Sequence, residues 1–319
     1  MNTGIFLSYK GLGTNVLHLC YCHEIAKVFG PVEIVTLSHN FKDVVDDDPL
    51  IKKVTYLDKY YKRLVDIYNL AKVFKQHKFN NFFIFYPSLR FFIAAKLAGI
   101  ENIFSYPFFK KKNLHLVNEA KKFVEKNLNI ENCSTETSLF IGNSNKKIAS
   151  IYLNKTRKNI IIGAGSSGPT TKWGSSNYIK LINELQKRKE CYFFILGGAE
   201  EKKIVDEIVN QVGEKNAISL SDKNIKEIVS IISGVDMYIG NDSFGQHIAS
   251  QCGKPSLVLL LDTPSAYSEY SKNQHQITPE GVSIKNISHD SSFDPDTIGV
   301  ETVLNKALDR KSTRLNSSH

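Results

Sequence analysis

The chain has 319 residues, 42% of them apolar and 23% charged, which excludes a wholly disordered chain and gives length for two domains. No run approaches the roughly 20 apolar residues of a membrane span, and the opening MNTGIFLSYKGLG lacks the long apolar region and cleavage site of a secretory signal, so a cytoplasmic protein is expected. The formal charge is +9, but only six of the 41 basic residues are Arg, which argues against base-reading recognition of nucleic acid.

Gly4–Ser8 reads as a first strand, followed by the turn Gly11-Leu12-Gly13 and a helix over Asn15–Phe29 with apolar spacing through Val16, Leu19, Cys20 and Ile25. Strands follow at Val32–Leu37, Val54–Leu57 and Asn81–Tyr86, with helices at Leu64–Phe74 and Leu89–Leu97. This alternation predicts parallel βαβ units. Residues 129–156, rich in Asn, Ser, Thr and Lys, break the rhythm, so a domain over 1–140 and a linker over 141–156 are expected. The pattern restarts with strands at Asn159–Gly163, Tyr192–Gly197, Val235–Gly240 and Ser256–Leu261. The helices between and after them fall at Tyr178–Lys187, Glu200–Gln211, Ile225–Ile232, Asp242–Gln251 and 297–308. The expected fold is therefore α/β, with two Rossmann-like domains facing across a cleft and the second spanning 157–308. Asp309–His319 (DRKSTRLNSSH) reads as a translated sequencing adapter and is set apart as a non-native tail.

Two segments carry chemistry. Gly163-Ala164-Gly165-Ser166-Ser167-Gly168 follows a strand in the G-x-G-x-x-G pattern of dinucleotide folds, which keeps an NAD-dependent dehydrogenase as an alternative. The Pro169-Thr170-Thr171-Lys172-Trp173 that follows opens no helix directly. Glycine N–H groups, threonine hydroxyls and one ammonium suit a diphosphate. The second segment is Gly240-Asn241-Asp242-Ser243-Phe244-Gly245-Gln246-His247-Ile248-Ala249, where a strand hands over to a helix. Asp242 or Ser243 fits an N-cap, and the helix N-terminus suits an anion. The five cysteines (20, 22, 133, 191, 252) show no zinc spacing, and Asp46-Asp47-Asp48 reads as solvated charge, so no metal is expected.

These segments resemble the ADP-heptose:lipopolysaccharide heptosyltransferase family, which has the GT-B fold. GNDSFGQHIA is similar to its G-x-D-[ST]-G-x-x-H segment, with Phe244 at a usual glycine. GAGSSGPTTKW is similar to its glycine loop with a basic residue and Trp. Leu196-Gly197-Gly198-Ala199-Glu200 fits the family's strand-end L-G-G-x-x-E, and Lys254-Pro255 fits its G-x-P before the next strand. The resemblance implies an inverting, metal-independent transfer of a heptose or related sugar from a nucleotide-diphosphate donor such as ADP-heptose. The acceptor would be the lipopolysaccharide core or a similar anionic glycolipid. It implies donor contacts at Gly13, Gly165, Thr170, Thr171, Lys172, Glu200, Asn241, Asp242, Ser243, Gly245 and His247. The family's catalytic Asp position is occupied here by Thr14-Asn15, neither of which takes a proton near neutral pH. His18 is the remaining candidate base. That substitution keeps a non-catalytic nucleotide-sugar-binding protein in view. Lys10, Lys110, Lys111 and Lys112 are expected to meet the acceptor or, peripherally, the inner membrane. Residues 51–126 hold 16 basic and five acidic residues, which localises the charge in the first domain.

Overall fold

A computed structural model of the chain describes residues 1–58, 63–107, 116–166 and 171–309. The chain divides into two compact units, Met1–Phe140 and Ile141–His319. The first contains β1 (Thr3–Leu7), α1 (Leu12–Leu17), α2 (Leu19–Phe29), β2 (Val32–Thr36), α3 (Phe41–Val44), β3 (Ile51–Tyr56), α4 (Val65–His77), β4 (Asn81–Ile84), α5 (Leu89–Leu97), β5 (Asn102–Ser105) and α6 (Leu116–Leu128). Its five strands pair in parallel in the order β3-β2-β1-β4-β5. β1, β2 and β4 are buried along their whole length, which is why they read as unbroken apolar runs rather than alternating ones. One face of the sheet is covered by α4, through Leu70, Ala71 and Phe74, and by α5, through Phe91, Ala94 and Ala95. These pack on Phe6, Phe82 and Ile84.

The second unit contains α7 (Asn143–Tyr152), β6 (Lys158–Gly163), α8 (Ser175–Gln186), β7 (Cys191–Leu196), α9 (Lys202–Val212), β8 (Ala217–Ser219), α10 (Ile225–Gly234), β9 (Met237–Asn241), α11 (Phe244–Gln251), β10 (Ser256–Leu259), β11 (Gln274–Ile277) and α12 (Val300–Leu308). Its strands are all parallel, in the order β11-β10-β9-β6-β7-β8. From β6 the chain builds outward to one edge, then returns to build from β9 to the other. This is the doubly wound order, and its switch point lies between β6 and β9.

Four local readings change. The helix expected over Asn15–Phe29 starts at Leu12 and breaks at His18, where the ring Nδ1–H donates to the Thr14 carbonyl oxygen at 2.7 Å. The stretch read as a linker contains α7, which packs on α10; its Asn145 donates to Ser230 Oγ at 3.0 Å. β5, β8 and β11 escape the pattern because they are short edge or near-edge strands with polar content. Asp48 is not solvated: it lies 5% exposed and meets His23 Nε2 at 2.7 Å, while His23 Nδ1 pairs with Thr137 Oγ1 at 2.6 Å.

Candidate functional site

The second unit's switch point is built by two glycines. A Cβ on Gly163, at the end of β6, would lie 1.9 Å from Tyr238 Oη, and one on Gly240 would lie 2.5 Å from the Gly163 backbone. Their absence lets the Tyr238 ring lie across the strand ends and donate to the Asn241 carbonyl at 2.7 Å. Asn241 is buried and acts as a staple. Its Nδ2 donates to the Ala164 carbonyl at 2.9 Å, and its Oδ1 accepts the Trp173 N–H at 3.1 Å. One side chain from β9 thus ties down both ends of the segment running from Ala164 to Trp173. Ser166 Oγ adds a bond to the Asp242 carbonyl at 2.9 Å. Trp173 is fully buried, sits edge-on to Tyr178 and donates from Nε1 to the Ile298 carbonyl at 2.8 Å.

At the far end of this segment the Thr171 N–H donates to Asp262, and Lys172 Nζ lies 3.8 Å from Glu201 Oε1. Glu201 also accepts the Gly198 N–H at 2.8 Å, and its Oε2 would lie 3.2 Å from a Cβ on Gly165. Glu200, expected near the nucleoside, is exposed in the short turn. The turn places every third residue back on one side, so the inward carboxylate belongs to Glu201. Counting L-G-G-x-x-E strictly from Leu196 also ends on Glu201, the signal that was available in the sequence.

α11 opens at the same place. Ser243 occupies its N-cap, but the side chain caps none of the first-turn N–H groups and instead pairs with Tyr238 Oη at 3.1 Å. At Gly245, expected to line the pocket, a Cβ would lie 2.6 Å from Leu196 Cδ2 and 3.0 Å from Tyr238, so the close packing of the helix on the sheet admits only glycine. Asp242 accepts from Gln246 Nε2 at 2.9 Å. Burial pushes its carboxyl up to about 7 against that hydrogen bond, with Asp262 adding to the rise. His247 lies 3% exposed, its Nδ1 2.7 Å from Tyr270 Oη and its ring stacked on Tyr270. Burial holds it down to about 3, so at neutral pH it is an uncharged imidazole 3.8 Å from Asp242. Gln246, within the marked segment, and Tyr270 and Asp262, beyond it, complete this network; no spacing in the sequence marked the last two, because they come from outside α11.

The first unit's candidates look different. Asn15 is 0% exposed and fully committed: Nδ2 donates to the carbonyls of Tyr9 and Gly11 at 2.9 and 2.8 Å, and Oδ1 accepts from Thr36 at 2.6 Å. It clamps the turn after β1. His18 is also 0% exposed, enclosed by Tyr9, Tyr21 and Phe85, and burial holds it down to about 4. Its Nε2 finds no hydrogen-bond partner among the described residues. A ring sealed in this way does not reach a substrate hydroxyl, so the assignment of His18 as base is withdrawn. Gly13 and Thr14 are half-buried on α1 and Lys10 is exposed. Thr170, Lys110, Lys111 and Lys112 lie outside the described residues.

Two parallel-sheet α/β units, the second with a loop and a helix N-terminus meeting at its switch point, define a GT-B protein. The family described as glycosyltransferase family 9 (heptosyltransferase) matches residues 104–294, and the chain belongs to it. Lipopolysaccharide heptosyltransferase 1 of Campylobacter coli is 29% identical over 162 residues, covering 48% of this chain and 47% of that protein. The core heptosyltransferase OpsX of Haemophilus influenzae is 23% identical over 146 residues, covering 46% of this chain and 42% of that protein. The chain thus spans about half the length of the curated relatives it matches. In structure it is similar to a glycosyltransferase family 9 protein from Veillonella parvula, with a TM-score of 0.77 at 18% identity, covering 95% of both chains. It is also similar to E. coli ADP-heptose lipopolysaccharide heptosyltransferase II, with a TM-score of 0.70 at 14% identity, covering 96% of this chain and 97% of that one.

Proposed function

We propose that this chain transfers a heptose, or a related sugar, from a nucleotide diphosphate to a lipopolysaccharide-core or similar anionic glycolipid acceptor at the cytoplasmic side of the membrane. The observation that carries the reading is the Asn241 staple, which ties the Ala164–Trp173 segment to the strand end that opens α11. A diphosphate held there meets the Lys172 ammonium, the Thr171 hydroxyl and the N–H groups of the first turn of α11. The structures of E. coli heptosyltransferase WaaC with ADP and with ADP-2-deoxy-2-fluoro heptose support ADP-heptose as the donor.

In the reaction an acceptor hydroxyl attacks the anomeric carbon from the face opposite the diphosphate. The bond from that carbon to the diphosphate oxygen breaks, and the configuration inverts. Positive charge develops on the sugar while negative charge develops on the leaving diphosphate, where Lys172 and the N–H groups stabilise it without calling for a metal ion. With Asn15 committed and His18 sealed, we assign the acceptor proton to water on the attacking face, opposite the departing diphosphate.

The test incubates the chain with ADP-heptose and a truncated core acceptor. Acceptor-dependent release of ADP, with an inverted anomeric configuration in the product, is expected. Tight donor binding with no turnover on any core acceptor would instead establish the non-catalytic reading, which the missing carboxylate at Thr14-Asn15 favours.

A further inference from the structure

Six large apolar side chains project from the outer faces of two neighbouring helices in the first unit. Leu64, Val65 and Tyr68, at the start of α4, are 81%, 63% and 67% exposed, and Leu89, Ile93 and Leu97 on α5 are 55%, 37% and 53% exposed. The last three recur every fourth residue and so form one stripe along α5. The stripe is not what holds the helices in place, because the opposite faces of α4 and α5 already fill the core against the sheet. Each helix leaves the carboxyl end of the strand before it, so Leu64, Val65 and Leu89 stand at the edge of the sheet where ligands of such folds bind.

The charge around this patch is predominantly positive. Residues 63–100 hold six Lys or Arg and a single acid, Asp66, whose carboxylate accepts the Arg63 N–H at 2.7 Å. Lys72 and Lys75 continue the outward face of α4 beyond Tyr68, and Lys96 Nζ lies 5.9 Å over the Phe92 ring. An exposed apolar patch rimmed by amines matches an interface of acyl chains and anionic headgroups. Leucine and isoleucine enter the apolar boundary while the long lysine stems reach back to phosphate. A second copy of the chain would bring two cationic faces together, and like charges across an interface oppose that pairing. No helix among the described residues is long and apolar enough to cross a membrane, so the contact is with the surface.

We propose that the outer face of α4 and α5 docks the protein on an anionic lipid bilayer. The inference rests on the transfer reading only in that a lipid-borne acceptor gives the docking a purpose. Its test uses no turnover, so the two readings fail separately.

The full chain is sedimented with phosphatidylcholine vesicles and with vesicles that also contain phosphatidylglycerol. Binding to the anionic vesicles that weakens as salt is raised is expected. The combined variant Leu64→Gln, Leu89→Gln, Ile93→Gln should lower the partition coefficient about tenfold while its affinity for ADP stays that of the wild type. Lys72→Glu with Lys75→Glu should remove the preference for anionic vesicles. Three results would overturn the proposal: no binding by the wild-type chain, equal binding by the apolar variant, or a concentration-dependent dimer that the apolar variant abolishes.

Discussion

His18 shows how a residue plausible from its side chain alone is reassigned by its surroundings. Its folded pKa, about 4, lies below the ordinary 6.5, because burial disfavours the charged ring. The unfolded chain therefore binds the extra proton between these values, and stability is lost as pH falls from about 6.5 towards 4. His18→Phe removes that loss while keeping an aromatic ring among Tyr9, Tyr21 and Phe85. Between pH 8 and pH 5 the wild type should lose about 2 kcal/mol more than the variant in denaturant titrations. Equal slopes for the two proteins would refute the assignment. The variant should also keep its pH–rate profile, since a sealed ring is no base. At the donor loop, Lys172→Ala should weaken ADP binding about tenfold or more by calorimetry, for loss of a charge-assisted contact. Glu201→Ala should weaken it too, whereas Glu200→Ala should leave it unchanged; the reverse order would restore Glu200 as the inward carboxylate.

The strand ends of the second sheet depend on missing side chains. At Gly240 the obstacle to a Cβ is the Gly163 backbone 2.5 Å away, which has no rotamer to yield. Gly240→Ala should therefore cost at least about 3 kcal/mol, or abolish soluble expression, because overpacking against backbone cannot relax locally. A soluble variant with the wild-type urea midpoint would show that the strand ends move apart easily. The same crowding explains Gly245, where α11 lies so close to Leu196 that no side chain fits. The sequence marked this helix start correctly through Gly240-Asn241-Asp242-Ser243. It did not mark the Asn241 staple, since its partners Ala164 and Trp173 lie 77 and 68 residues away in the chain.

Over the whole molecule the donor class is the discriminating property. α8 begins at Ser175, well beyond Gly168, so the G-x-G-x-x-G run lacks the helix that a dinucleotide fingerprint opens. A thermal-shift panel should show stabilisation by ADP and ADP-heptose, equivalent to about 2.7 kcal/mol at a hundredfold excess over Kd. NAD should give none, and stabilisation by NAD alone would reinstate the dehydrogenase reading. The charge asymmetry belongs to this scale too. The excess of cations in residues 51–126 takes on spatial meaning only where α4 and α5 place part of it around exposed leucine and isoleucine.

By itself the sequence determined the alternation of strand and helix, the division into two α/β units and the loop and helix start that meet at the second sheet's switch point. Those are written in local apolar runs and in glycines next to strand ends, where each residue acts on its chain neighbours. Only the tertiary structure decided that Asn15 and His18 are sealed inside the first unit, that Glu201 and not Glu200 turns inward, and that Asn241 serves as a staple. Burial and hydrogen-bond partners come from segments distant in sequence, and desolvation, which sets whether Asp242 and His247 carry charge, exists only once those segments close around them.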